Sequence, residues 1–178
     1  MCGYDIDQVM QSFRVVADTR EQRTARAVER FKALGPFLER GTLDYGDYCG
    51  NVELPLGGPL YDVTNLISPR CCVERKMSLD ELSCSLTRDR ERFRKELERA
   101  SQSGAKVYLL VEDGSYDAIL SHRYSTQFAP NAFMGTIISW EVKFNLTVLF
   151  CKPGISGRLI REILYRDMKQ RLERGEYG

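Results

Sequence analysis

Two short apolar runs, residues 106–111 (KVYLLV) and 146–151 (LTVLFC), set the tightest limit on what this chain can fold into. Neither alternates apolar with polar residues as a strand with one wet face would, and both are too short for a buried helix. They predict strands covered on both faces of a sheet. Between them, residues 131–144 (NAFMGTIISWEVKF) place Phe133, Ile137, Ile138 and Trp140 at helical spacing. Beyond Pro153-Gly154 a last helix is predicted over residues 156–174, with Ile160, Ile163, Leu164 and Leu172 facing inward. Helices that follow single strands imply parallel crossovers.

The upstream half continues the alternation. Residues 13–17 (FRVVA) predict a buried strand that ends in the polar step Asp18-Thr19-Arg20-Glu21. Ala27, Val28, Phe31 and Leu34 then mark a helix over residues 21–34, stopped by Gly35-Pro36. A strand pair is expected within residues 42–54, then an irregular Pro- and Gly-punctuated connection, then a strand over residues 71–76 (CCVERK). Ser78 and Glu81 form a capping box for one helix of about two dozen residues, with Leu82, Leu86, Phe93 and Leu97 on its apolar face. The predicted order is β-α-β-β-β-α-β-α-β-α, with the middle strands as an antiparallel meander. The expected fold is a single α/β domain over residues 1–178, with three layers and a central mixed sheet flanked by helices.

Composition removes several classes of chemistry. The single histidine, His122, leaves multi-histidine metal sites unavailable and is expected either at the surface or behind the site residues, with no assigned task. The six cysteines form no CxxC pair, and the opening MCGYDIDQ lacks a signal-peptide pattern, which together read as reduced thiols in a cytoplasmic protein. No apolar run approaches the roughly 20 residues of a membrane helix. Against 26 Lys and Arg stand 25 Asp and Glu, so the net charge of +1 advertises no polyanionic partner by itself. Such a partner has to be found in local placement, because a balanced total can hide an acidic pocket beside basic helix faces.

Local placement singles out Asp18, Glu21, Asp47, Glu74, Lys76 and Asp80. On a strand, Glu74 and Lys76 at i and i+2 share one face and Arg75 takes the other. If Asp47 lies on a neighbouring strand, two carboxylates and an ammonium converge, a setting for a hard divalent cation such as Mg²⁺. Such an ion can drive phosphodiester hydrolysis without a histidine. Each piece also has an ordinary reading. Glu74 and Lys76 can be a solvated pair, Asp47 a turn residue, Asp80 a helix-start charge, and Asp18 to Glu21 the opening of a helix. The arginines after Ser78 can be a solvated face interleaved with Asp89, Glu91, Glu96 and Glu98.

Their joint order is more specific. Val15 to Gln22 (VVADTREQ), Gly46-Asp47, then Glu74-Arg75-Lys76 with Asp80 after three residues, resembles the XPF and Hef nuclease-domain family of the PD-(D/E)xK superfamily. The resemblance spans residues 13–111, including Leu82, Ser85 and Arg90. It implies a restriction-endonuclease-like core cutting branched or flap DNA with Mg²⁺ or Mn²⁺. Asp47 and Glu74 would be metal ligands, Lys76 would position the attacking water, and Arg75 and Asp80 would organise the site. Asp18 and Glu21 would lie at its rim, with Arg20 facing a phosphate or holding a carboxylate. Arg88, Arg90 and Arg92, with Arg158, Arg161, Arg166 and Lys169 of the last helix, are expected to grip DNA phosphates.

Two departures qualify that expectation. No helix-hairpin-helix module is visible, which suggests a stand-alone nuclease of prophage or bacterial type, or one needing a partner. Arg88 and Asp89 also replace the acidic-glycine step common in the family. Family nuclease domains pair, so a homodimer through Phe133, Trp140 and the last helix is one expectation, with burial of those residues in the core the other. A catalytically silent DNA-binding subunit and a ribonuclease are the competing functional readings.

Overall fold

The structure, a computed structural model, describes residues 4–177. Cys2 lies outside them, while Cys49, Cys71, Cys72, Cys84 and Cys151 are free thiols. After a short helix that the sequence reading did not anticipate (α1, Ile6–Gln11, capped by Asp5) come β1 (Arg14–Asp18) and α2 (Ala25–Leu34). Next are β2 (Leu38–Leu43), β3 (Tyr48–Asn51), a two-residue ribbon of β4 (Glu53–Leu54) and β5 (Gly58–Pro59), and β6 (Leu66–Ile67). The second half runs β7 (Cys71–Lys76), α3 (Leu79–Leu86), α4 (Arg90–Gln102), β8 (Lys106–Glu112) and α5 (Tyr116–Leu120). It closes with α6 (Pro130–Lys143), β9 (Leu146–Cys151) and α7 (Pro153–Glu173).

One seven-stranded sheet has the order β6-β2-β1-β3-β7-β8-β9. Within it β3 runs antiparallel to both neighbours, β1 and β7, and the other pairings are parallel. The three-layer mixed α/β architecture is therefore as expected, but the middle is not a meander. The expected strand pair within residues 42–54 also does not form, because β1 lies between β2 and β3. Parallel pairing of β2 with β1, through the helical crossover α2, takes the edge a hairpin would have used.

Both faces of the sheet are covered, as the apolar runs require. Val107, Leu109 and Val111 of β8 pack with Leu82, Phe93, Leu97 and Trp140 from α3, α4 and α6. Leu110, one step out of phase, joins Val15, Ala17 and Val73 under α7 residues Ile160, Leu164 and Leu172. Phe133 and Trp140 thus belong to the core, and the large apolar residues of α6 left exposed are Ile138 and Val142. Among the described residues no helix is long and apolar enough to cross a membrane.

Two helices differ from expectation for local reasons. The predicted long helix is broken at residues 87–89. The Thr87 hydroxyl donates to Ser83 O at 2.7 Å, taking the acceptor of the next helical bond, while its own N–H turns to Cys84 O at 3.3 Å. Helix α2 starts only at Ala25, where Thr24 Oγ1 accepts the Ala27 N–H at 3.2 Å, leaving Glu21 in a connection free to reach inward. Its buried stripe is also rotated from the predicted one: Ala27, Arg30 and Leu34 are buried, and Val28 is exposed.

Burial pushes the thiols of Cys49, Cys71 and Cys72 well above their ordinary pKa. Few thiolates and no access mean slow alkylation. In native protein at pH about 8 these three are expected to resist a thiol reagent and to react once denaturant unfolds the chain, as peptide mapping by mass spectrometry would read.

Candidate active site

The strand period places Glu74 and Lys76 on the α4 side of β7 and Arg75 on the α2 side. Lys76 Nζ donates to Glu74 Oε1 at 2.6 Å and lies 4.6 Å from the centre of the Phe93 ring. Burial draws the Lys76 pKa down, but the carboxylates of Glu74 and Asp47 outweigh it and push it up to about 12.

Asp47 arrives from the tight turn between β2 and β3, not from a strand. Its N–H donates to Val73 O at 2.9 Å and its carbonyl accepts the Asp18 N–H at 2.8 Å. One carboxylate oxygen accepts the Arg75 N–H at 2.8 Å. Gly46 makes the turn possible, since its φ is +76° and a Cβ there would stand 2.7 Å from both Cβ and Sγ of Cys72. The Gly46 N–H donates to Glu96 Oε1 of α4 at 3.0 Å. Burial, then the charges of Glu74 and Glu21, push the Asp47 pKa well above its usual 3.8. Burial and the Glu74 charge likewise raise that of Glu96.

Two cavities meet over this centre and share Arg20, Asp47, Glu74 and Lys76 as lining. The larger, about 420 Å³, is walled by α4 through Arg92, Lys95, Glu96 and Arg99. The smaller, about 240 Å³, opens toward Glu21, Gln22, Thr24, Arg75 and Glu81. Asp18 is fully engaged at their edge: it accepts from Arg20 Nε at 2.9 Å, Arg20 Nη2 at 2.8 Å and the Leu43 N–H at 2.8 Å. Burial alone would raise its pKa, but these hydrogen bonds and the Arg20 charge hold it below 3.8. It therefore fixes a guanidinium at the mouth of both cavities.

Beneath the smaller cavity lies a buried charge cluster. Arg30, 2 % exposed, donates to Glu112 Oε1 and Glu21 Oε1, each at 2.8 Å, and to the Tyr48 hydroxyl at 3.2 Å. The same Glu21 oxygen accepts from Arg75 Nη2 at 3.2 Å and from the Tyr48 hydroxyl at 3.1 Å. Among the described residues Arg75 Nε and Nη1 are buried with no hydrogen-bond partner.

The other predicted residues separate. Asp80 faces away, accepting the Ser125 N–H at 2.6 Å, and ties the loop before α6 to α3. Arg92 lines the larger cavity, whereas Arg88 pairs with its neighbour Asp89. Arg90 lies 5.1 Å from the Trp140 ring and donates to Leu86 O. Helix α7 packs on the opposite face of the sheet from α4, where Arg161 covers Phe37 and Arg166 and Lys169 pair with Glu162 and Asp7. His122 is exposed, with Nε2 2.9 Å from Thr126 O. Arg30, Tyr48, Glu96, Arg99 and Glu112 were not singled out as site residues from the sequence. Glu96 adjoins the apolar positions Phe93 and Leu97, and Arg30 sits on the Ala27–Leu34 stripe, so both carried a positional signal.

The donor set suits a hard cation. Asp47 and Glu74 offer carboxylate oxygens in a patch of crowded negative charge that a cation relieves. Among the described residues no group of three or more His, Cys, Asp or Glu is placed to hold an ion. Two carboxylates with water and substrate oxygens are the coordination Mg²⁺ commonly takes.

The sheet, its helical layers and the Gly46-Asp47, Glu74-Arg75-Lys76 centre define a restriction-endonuclease-like domain of the XPF type. Residues 17–154 match the ERCC4 domain, and the chain belongs to that family. XPF from Aeropyrum pernix is similar in structure, with a TM-score of 0.60 and 19 % identity over 92 % of this chain and 69 % of that one. Its complex with DNA gives a TM-score of 0.60 and 21 % identity over 89 % of this chain and 66 % of that one. No curated protein matches the sequence.

Two stability effects follow. The depressed pKa of Asp18 adds stability above pH 3.8 that is lost as the pH falls through its lower folded value. Urea unfolding of Asp18→Asn should thus show a deficit of about 1–3 kcal/mol at neutral pH that shrinks in acid. Arg30→Met takes the shared cation from Glu21 and Glu112 and leaves each a longer contact, to Arg75 at 3.2 Å and Arg26 at 3.3 Å, so the same titration should show a loss of at most about 3–5 kcal/mol.

Proposed function

We propose that this chain is a divalent-metal-dependent endonuclease that hydrolyses phosphodiester bonds of branched, flap or fork DNA. The observation that carries the reading is the convergence of Asp47, Glu74 and Lys76 on the floor of a cleft flanked by guanidinium groups. Family membership and the existence of an XPF structure with DNA support DNA as the substrate.

Asp47 and Glu74 would hold Mg²⁺ or Mn²⁺, which when bound supplies Lewis acidity to a phosphoryl oxygen and lowers the pKa of a bound water. The Lys76 ammonium, held by Glu74, directs hydrogen bonds at the attacking water and at charge that develops on the phosphoryl oxygens. Arg20, immobilised by Asp18, presents a rigid guanidinium to a phosphate at little further ordering cost. Arg75 anchors Asp47 through its backbone N–H while Glu21 holds its side chain.

The test is incubation with labelled flap, fork, duplex and single-stranded DNA, and with RNA, in Mg²⁺, Mn²⁺ or chelator. Cutting of branched DNA in either metal and none in chelator is expected. Glu74→Gln and Lys76→Ala should each slow it at least about a hundredfold, the scale of a lost positioning contact. No cutting of any substrate, or cutting unchanged in both variants, would contradict the proposal; binding without cleavage would favour a silent subunit, and cutting of RNA alone a ribonuclease.

A further inference from the structure

Most lysines and arginines of the described residues have an internal partner. Arg23, Arg92, Lys95 and Arg158 make no ion pair, side-chain hydrogen bond or ring contact among the described residues, and all four are exposed. Arg92 and Lys95 line the cleft, and Arg23 follows in sequence a residue that lines it. Arg92 and Lys95, at i and i+3 on the outer side of α4, line the larger cavity, and Arg99 continues the same stripe. Arg94, between them in sequence, is spent on Glu91 and Glu98. Across the centre, Arg23 lies between Gln22 and Thr24, which line the smaller cavity. Arg20, Asp47, Glu74 and Lys76 join the two sides.

Arg92 and Lys95 are like charges three apart on one helix face, and beyond the attraction of exposed Glu91 for Lys95 they hold no ion pair that would fix them in the free protein. Their placement makes sense against a ligand whose negative charges are spaced along a line. A carboxylate floor repels such a ligand, and cations on both flanks supply the attraction that the floor withholds.

We propose that one DNA strand crosses the cleft from α4 to the connection ahead of α2. Arg92 and Lys95 hold its backbone phosphates on one side of the group at Lys76, and Arg23 holds a phosphate on the other. The proposal rests on the endonuclease reading for the identity of the strand, but it concerns contacts to phosphates alone. Helix α7, basic as it is, contributes no lining residue to either cavity.

The test is the salt dependence of binding, followed by fluorescence anisotropy with a labelled flap DNA and an RNA of the same sequence, in chelator so that nothing is cut. Each lost phosphate contact lowers the slope of log K against log salt by about 0.7–0.9. The double variant Arg92→Gln/Lys95→Gln should therefore lose about 1.4–1.8 of the slope. Arg23→Gln should lose about 0.7–0.9, and Arg158→Gln should match the unaltered protein. An unchanged slope in either cleft variant, an equal loss in Arg158→Gln, or binding of RNA but not DNA overturns the proposal. Slopes that shift as stated while no DNA is cut in either Mg²⁺ or Mn²⁺ would leave the strand path standing and remove the endonuclease reading. Cutting with unshifted slopes would do the reverse.

Discussion

Asp47 is hydrogen-bonded on three sides, to the end of β1, to the middle of β7, and to the residue between Glu74 and Lys76. Everything else in the cleft depends on that insertion. It is possible because β3 runs antiparallel between two strands that are parallel to each other, so the turn before β3 lands beside the last residues of both. Asp18, at the end of β1, and Glu74 to Lys76, at the end of β7, are thereby gathered round one residue. A glycine at position 46 is part of the same constraint, because the left-handed turn presses against Cys72.

Holding these charges together is expensive, and the fold meets the cost with pairing. Glu112 is fully buried, Arg30 and Asp18 are 2 % exposed and Glu74 is 7 % exposed, where an unpaired ion costs several kcal/mol of lost hydration. Pairs of this kind add little net stability beyond offsetting that loss. What they supply is geometry: one oxygen of Glu21 accepts from Arg30, Arg75 and Tyr48, and so fixes the strand end that carries Glu74 and Lys76 relative to α2. Asp47 and Glu96 stay crowded by burial and by the charge of Glu74, which both feel.

Much of this was legible in the sequence, and the exceptions have a common cause. The unbroken apolar runs of β8 and β9 announced a doubly covered sheet, and the two-residue period put Glu74 and Lys76 on one face. Spacing alone could not show that β1 separates β2 from β3, because that pairing joins residues far apart and no turn signal reports it. The break at Thr87 was hidden because Leu86 and Phe93 keep to one apolar face across it. Glu96 reads from sequence as part of a solvated face and Arg30 carries no assignment there, since charge type outweighs position, yet both adjoin apolar stripes. Arg88, Arg90 and Arg92 looked equivalent in sequence; a two-residue step on a helix turns the side chain about 200°, and the structure leaves only Arg92 of the three in the cleft.

Mn²⁺ titration of the full chain, read by electron paramagnetic resonance of the free ion, tests the proposed carboxylate centre most directly. One bound equivalent displaced by Mg²⁺ is expected, with affinity reduced at least about tenfold in Asp47→Asn and kept in Arg158→Gln. Absence of binding in the unaltered protein, or equal binding in Asp47→Asn, would contradict it.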